Sequence, residues 1–152
     1  MKDMRDQNTR ELNFTGVAGK PLDVFQQVKE FHSKFEFPVA QPITVGHRAL
    51  PSMRAQFLEE EIQELKVAAI TCDVVGYFDA ILDIIYVAIG TGFYAGISVE
   101  QMVEGFAAVH ACNMQKVKVA HAGESKRGTK YDAKKPEGWT GPEAELKKIL
   151  KV

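Results

Sequence analysis

Cysteine is scarce in this 152-residue chain: only Cys72 and Cys112 occur. Their spacing is neither that of a zinc knuckle nor that of a redox pair, so a disulfide framework and a cysteine zinc site are not expected, and a reducing cytosol is the simplest compartment. Charge of one sign is lacking too, since the formal net charge is −1. That removes any global electrostatic reason to bind nucleic acid or an anionic membrane, and any charge-based function must be local. No glycine-rich run ends in Gly-Lys-Ser/Thr, and no His-Glu-x-x-His is present, which excludes a P-loop and that class of zinc hydrolase. No serine or cysteine nucleophile has a recognisable setting. The start, Met1 to Asp6, is polar without a signal-peptide core. No later apolar run is expected to approach a membrane span, so the expectation is a cytoplasmic protein with no membrane partner.

What is present is the balance of a globular domain: 45% hydrophobic and 26% charged residues. The length suits one domain with a tail. Residues 1–20 read as a flexible arm, 21–118 as a helical domain, and 119–152 as a basic loop followed by a short helix. Val24, Val28, Phe31 and Phe35 recur at four, three and four and mark a first helix, which Phe37-Pro38 should end. Ser52 is placed to cap a second helix whose apolar stripe is Phe57, Leu58, Ile62, Leu65 and Ala69. Thr71-Cys72-Asp73 reads as a turn. Val74 to about Tyr94 is apolar enough to suggest strands, but its length and lack of proline favour one buried helix, weakened at its end by Gly90 and Gly92. Ser98 and Gln101 have capping-box spacing at the start of a fourth helix. Beyond Lys118 the chain is rich in glycine, lysine and proline until a last short helix over 142–150, with Pro142 in its first turn.

The chemistry lies in the carboxylates. Glu60, Glu61 and Glu64 share one side of the second helix, and Asp79 and Asp83 stand four apart on the third, flanked by apolar residues. Folding the helices back about Thr71-Cys72 sets Glu64 level with Asp79 and Glu60 level with Asp83. Such neighbours repel by roughly 4 kcal/mol per close pair at an effective dielectric near 20. A divalent cation is the natural compensation, because magnesium takes oxygen ligands and bridges carboxylates to phosphates. Glu59 reads as solvated, and a wholly solvated acidic face is the alternative for the rest.

On the fourth helix, Met102, Phe106, Val109, Asn113 and Lys116 form a seam that turns polar. If its end meets the acidic cluster, Lys116 can neutralise a phosphate and Asn113 can hydrogen-bond it. His110 reads as structural. The stretch between Lys116 and Lys135, with Lys118, Lys126, Arg127, Lys130 and Lys134, is either a solubilising tail or a flexible strap on phosphates.

Arg54-Ala-Gln-Phe-Leu-Glu-Glu-Glu-Ile-Gln-Glu-Leu65, Asp79-Ala-Ile-Leu-Asp83-Ile-Ile-Tyr-Val-Ala-Ile-Gly90 and Val109-His-Ala-Cys-Asn-Met-Gln-Lys116 together resemble the MazG and HisE superfamily of all-α nucleoside triphosphate pyrophosphohydrolases. The likeness spans roughly residues 22 to 118 and is nearest to small single-domain members, many of them phage-encoded, for which the compartment would be the host cytoplasm. It implies an all-α, four-helix core with a C-terminal extension, a homodimer or homotetramer, dependence on Mg2+ or Mn2+, and cleavage of a nucleotide to its monophosphate and pyrophosphate. By motif position it implies Glu60, Glu61, Glu64 and Asp83 as metal-site residues, to which Asp79 is added by its place four residues before Asp83 and level with Glu64. Where many relatives have Glu-x-x-Asp ending at Asp83, this chain has Ala80, with Asp79 one residue earlier.

The resulting expectation is a hydrolase in which Glu61, Glu64 and Asp83 hold metal and Glu60 and Asp79 assist, with Glu60 as the general base. Asn113, Lys116 and Lys118 would hold phosphates, and Phe31, Phe35 and His32 would meet the base. dUTP and dGTP are both open as substrates. The alternatives are a phosphoribosyl-ATP pyrophosphohydrolase and a non-catalytic helical module that binds nucleotide or assembles an oligomer.

Overall fold

A computed structural model describes residues 23–45 and 49–152. The expected N-terminal arm lies outside the described residues. Among the described residues five α-helices dominate: α1 (Val24–Lys34), α2 (Ala49–Thr71), α3 (Val74–Tyr94), α4 (Val99–Met114) and α5 (Glu143–Leu150). Two short strands, β1 (Val117–Lys118) and β2 (Ala133–Lys134), pair antiparallel with Val117 opposite Lys134 and Lys118 opposite Ala133.

The helix ends follow from local chemistry. Asp23 caps α1 by accepting from the Gln26 N–H. α1 stops at Lys34, ahead of the expected Phe37-Pro38 break, because Glu36 turns to φ 53° and the Phe37 N–H closes onto His32 O. α2 starts three residues before Ser52, which is therefore not its cap; Pro51 falls in the first turn, where a missing N–H costs nothing. The turn at 71–73 is as expected: Cys72 takes φ 58° and Asp73 caps α3 through the Val75 and Gly76 N–H groups. Both bonds of the Ser98–Gln101 capping box are made. Pro142 sits just before α5, at its N-cap.

α2 and α3 form a long antiparallel hairpin, and α1 lies across α3 and α4. The seam of α2 toward α3 is Arg54, Leu58, Glu61, Leu65 and Ala68, spaced four, three, four and three, all buried or half-buried. This corrects the expected stripe: Phe57, Ile62 and Ala69 are exposed, lying one position round the helix. Gly76 faces Ala68, and Ala80 is buried beyond it.

α3 runs unbroken through Gly90 and Gly92. Gly90 serves packing, since a Cβ there would stand 2.7 Å from His32 Nε2 and 3.1 Å from an Arg54 nitrogen. At Gly96, φ is +88° and a side chain would strike the Ala40 carbonyl, which holds the loop after α1 against the end of α3.

The small core joins Val28, Ile89, Phe93 and Val99, with Phe25 and Met102 packed on it. α5 is tied to α4 by Gln101 Nε2 donating to Ile149 O. Trp139 Nε1 donates to Cys112 O, so residues 119–152 pack on the domain rather than trailing from it. Two further expectations are corrected. α3 is long and apolar enough, by length and composition alone, to cross a membrane, because with two aspartates an 18-residue stretch of its 21 residues still has a mean hydropathy of 1.6. It is also far from buried: Asp79, Asp83 and their neighbours Phe78 (62% exposed) and Leu82 (48%) all face outward within one chain.

Candidate active site

Glu61 is the centre of the acidic cluster. It occupies a seam position that an apolar residue would ordinarily fill, half-buried between Leu58 and Leu65. Its carboxyl is pushed above the usual range first by that burial and then by the charges of Asp83, Glu64, Glu60 and Asp79, in that order. The five acids therefore share one electrostatic neighbourhood, as folding about Thr71-Cys72 requires. Among the described residues no lysine, arginine or histidine forms an ion pair with any of them. Glu60, Gln63, Glu64 and Asp79 line an open groove of about 480 Å³ between α2 and α3, with Thr71 and Asp73 toward the turn.

The donor set is all carboxylate, which in chemistry fits a hard divalent cation. Among the described residues no three such side chains converge as a ligand set in this structure. Ala80 is 2% exposed and packed into the hairpin seam, so the buried position next to Asp79 is filled by a methyl group and not by a carboxylate. Asp79, one residue earlier, is turned outward on the helix.

Next to the acids lies an aromatic cluster. Phe31 packs against Phe35, Phe37, His32 and Tyr86, with ring centroids 4.8 to 6.3 Å apart. Tyr86 is three residues from Asp83 on α3, so the aromatics of α1 reach the helix that carries the acids about one turn further along. Phe31 and Phe35 keep 39% and 49% of their surface exposed, enough to offer a face to a ligand. His32 is buried, and its Nδ1 has no partner among the described residues. Its pKa is lowered by burial and then by Arg54.

Arg54, which the sequence shows only as the first residue of the glutamate-rich motif, is 8% exposed and organises this region. It donates to Val87 O at 2.7 Å and to Thr91 Oγ1 at 3.2 Å, and lies over the Phe57 and Tyr94 rings. The signal available was its position four residues ahead of Leu58 on the seam. A separate cavity of about 280 Å³ lies on the far side of His32, between α1, the following loop and the start of α4.

Asn113 and Lys116 are not brought to the acids within one chain. α4 packs on α1 and α5, Lys116 lies beyond the helix end, and Lys118 is on β1. His110 is exposed rather than structural.

A family model described as phosphoribosyl-ATP pyrophosphohydrolase matches residues 28–110, just over half of the chain. The chain belongs to this family. It is thereby a pyrophosphohydrolase of the MazG-like superfamily, and the matched span holds α2, α3, every acid of the cluster and the Phe31–Tyr86 contact. No curated protein matches the chain.

Proposed function

We propose that this pyrophosphohydrolase cleaves a nucleoside triphosphate to the monophosphate and pyrophosphate with Mg2+ or Mn2+ bound among Glu61, Glu64 and Asp83, assisted by Glu60 and Asp79. The observation that carries the reading is the raised Glu61 carboxyl, held among four like charges with no protein cation as counterion among the described residues. A bound divalent ion supplies charge neutralisation on phosphate oxygens and a more acidic water. The chain's own part is to hold the ion with carboxylates, to accept the proton of the attacking water at Glu60, and to set the base against Phe31 and Phe35. Base stacking on this exposed aromatic face is supported by its approach to α3 through Tyr86.

The substrates we favour are dUTP and dGTP. The second reading is phosphoribosyl-ATP, favoured by the description of the matching family. Assembly is part of the same proposal: Val75, Phe78, Leu82 and Ile85 are 80%, 62%, 48% and 45% exposed along α3, and a homodimer or homotetramer would cover them. A second copy would also be the source of an Asn113 and Lys116 near the acids.

The test is pyrophosphate release from a panel of common nucleotides and phosphoribosyl-ATP, with Mg2+ or Mn2+. We expect metal-dependent release that is strongest on one deoxynucleotide. Faster release from phosphoribosyl-ATP selects the second reading, and no release from any of them refutes both.

A further inference from the structure

The segment between α4 and α5 lies outside the family-matched span, yet it is built rather than trailing. β1 and β2 pair, Val119 is buried to 2%, and the Val119 N–H continues the ladder by donating to Asp132 O. Between the strands and the intervening loop is a cavity of about 400 Å³, within the usual range for small-ligand sites. Its lining includes Lys116, Lys126, Arg127, Lys134 and Lys135.

Two carboxylates also line it, and both are committed to the scaffold. Glu124 accepts from the Ala120 N–H at 2.9 Å and pairs with Lys134 at 2.9 Å. Asp132 accepts from Ser125 Oγ at 2.7 Å, from Arg127 Nη1 at 2.9 Å and from the Ala133 N–H at 2.8 Å. These bonds fix the loop carrying Lys126 and Arg127 against β2. With five cations and two acids around one concavity, three positive charges are left over, on Lys116, Lys126 and Lys135, none of which has a carboxylate partner among the described residues. Lys135 is propped over the Trp139 ring at 4.1 Å, and Trp139 is in turn anchored to α4. A merely solubilising segment would spread such residues over the surface; here all five line one cavity.

We infer that this hairpin cavity is a binding site for a polyphosphate, of the pyrophosphate or triphosphate class. Three unmatched lysine charges in one cavity suit a multiply charged anion, whereas a monocarboxylate would leave two of them uncompensated. Lysine binds phosphate as a point charge and needs no bidentate geometry. The existence of the site rests on the hairpin alone; its role in handling a triphosphate substrate or the released pyrophosphate rests on the proposed hydrolysis.

The experiment is calorimetric titration of the full chain with inorganic pyrophosphate in chelator, without nucleotide or metal. We expect saturable binding that weakens about tenfold or more in Lys126→Ala/Lys135→Ala. It should stay within about twofold in the charge-matched α5 variant Lys147→Ala/Lys151→Ala, whose two lysines lie on that helix and at its C-cap. Unchanged binding in the hairpin variant, or an equal loss in the α5 variant, overturns the site. Acetate or a single-stranded oligonucleotide binding more tightly than pyrophosphate overturns the ligand class. Since the titration contains neither substrate nor cation, failure of the hydrolytic reading and failure of this site leave different records.

Discussion

Replacing Asp83 with asparagine should make the metal-free protein more stable while removing its metal response. Among the charges acting on Glu61, Asp83 has the largest effect, and the axes of packed helices lie about 8–10 Å apart, so about 8 Å is taken as the order of the charge separation. At that distance one pair repels by about 2 kcal/mol at an effective dielectric of 20 and about 0.5 kcal/mol in water. Asp83 is exposed, so screening favours the lower figure, and we expect a gain of about 0.5–1 kcal/mol. The assay is urea unfolding at fixed protein concentration in chelator at pH 7, where an unchanged slope and a higher midpoint report the gain. Mg2+ should then stabilise the parent, by about 1.4 kcal/mol at ten times its dissociation constant, and leave the variant unmoved. The pH dependence has a definite sign. With the Glu61 pKa raised above its ordinary 4.5 in the folded chain, the folded state holds more protons between 4.5 and that higher value. Stability therefore falls as pH rises across that window, and falls less in Asp83→Asn. A variant that is destabilised or unchanged in chelator would refute the reasoning.

Other perturbations have equally definite outcomes. Gly90→Ala forces a methyl group against His32 and Arg54 and should cost about 1–3 kcal/mol in urea unfolding; a neutral result contradicts the close packing. His32 has a folded pKa below 6.5, so the unfolded chain binds more protons just under that pH and stability is lost on acidification below about 6.5. His32→Phe, which suits the aromatic cluster, should flatten that slope between pH 5 and 7, and a persisting slope would assign it elsewhere. Arg54→Lys cannot reproduce the bonds to both Val87 O and Thr91 Oγ1 and should cost about 1–3 kcal/mol by thermal or urea unfolding, with equal stability counting against this account. Phe78→Glu/Leu82→Glu should shift sedimentation toward monomer, whereas an unchanged species would place assembly on another face.

The hairpin was legible because its arithmetic depends only on a turn: Asp73 has the residue type for a cap, and pairing outward from it is automatic, although Cys72 is not a type that favours its φ of 58°. The packing face was not. Apolar spacing picked Phe57, Ile62 and Ala69, but the seam runs through Arg54 and Glu61, polar residues that only their helical phase betrays. The apolar residues thus displaced are exposed in the single chain, and the expected burial of α3 failed separately, because its Val75, Phe78, Leu82 and Ile85 point away from α2 and α1 and stay exposed. The aromatic cluster was half read: Phe31, Phe35 and His32 were identified from α1, while Tyr86 and Tyr94 come from α3, and no periodicity links residues on different helices. The hairpin after α4 was least legible. Its strands are two residues each and are held by side-chain bonds of Ser125, Glu124 and Asp132 that carry no repeating pattern.

Direct titration of Mn2+ into the chelator-stripped protein, read by the loss of the free-ion paramagnetic resonance signal, bears most closely on the role of the acids. The account predicts saturable binding in the parent and a loss of about tenfold or more in affinity in both Glu61→Gln and Asp83→Asn, as removal of a charged ligand requires. Equal affinity in all three proteins would contradict it.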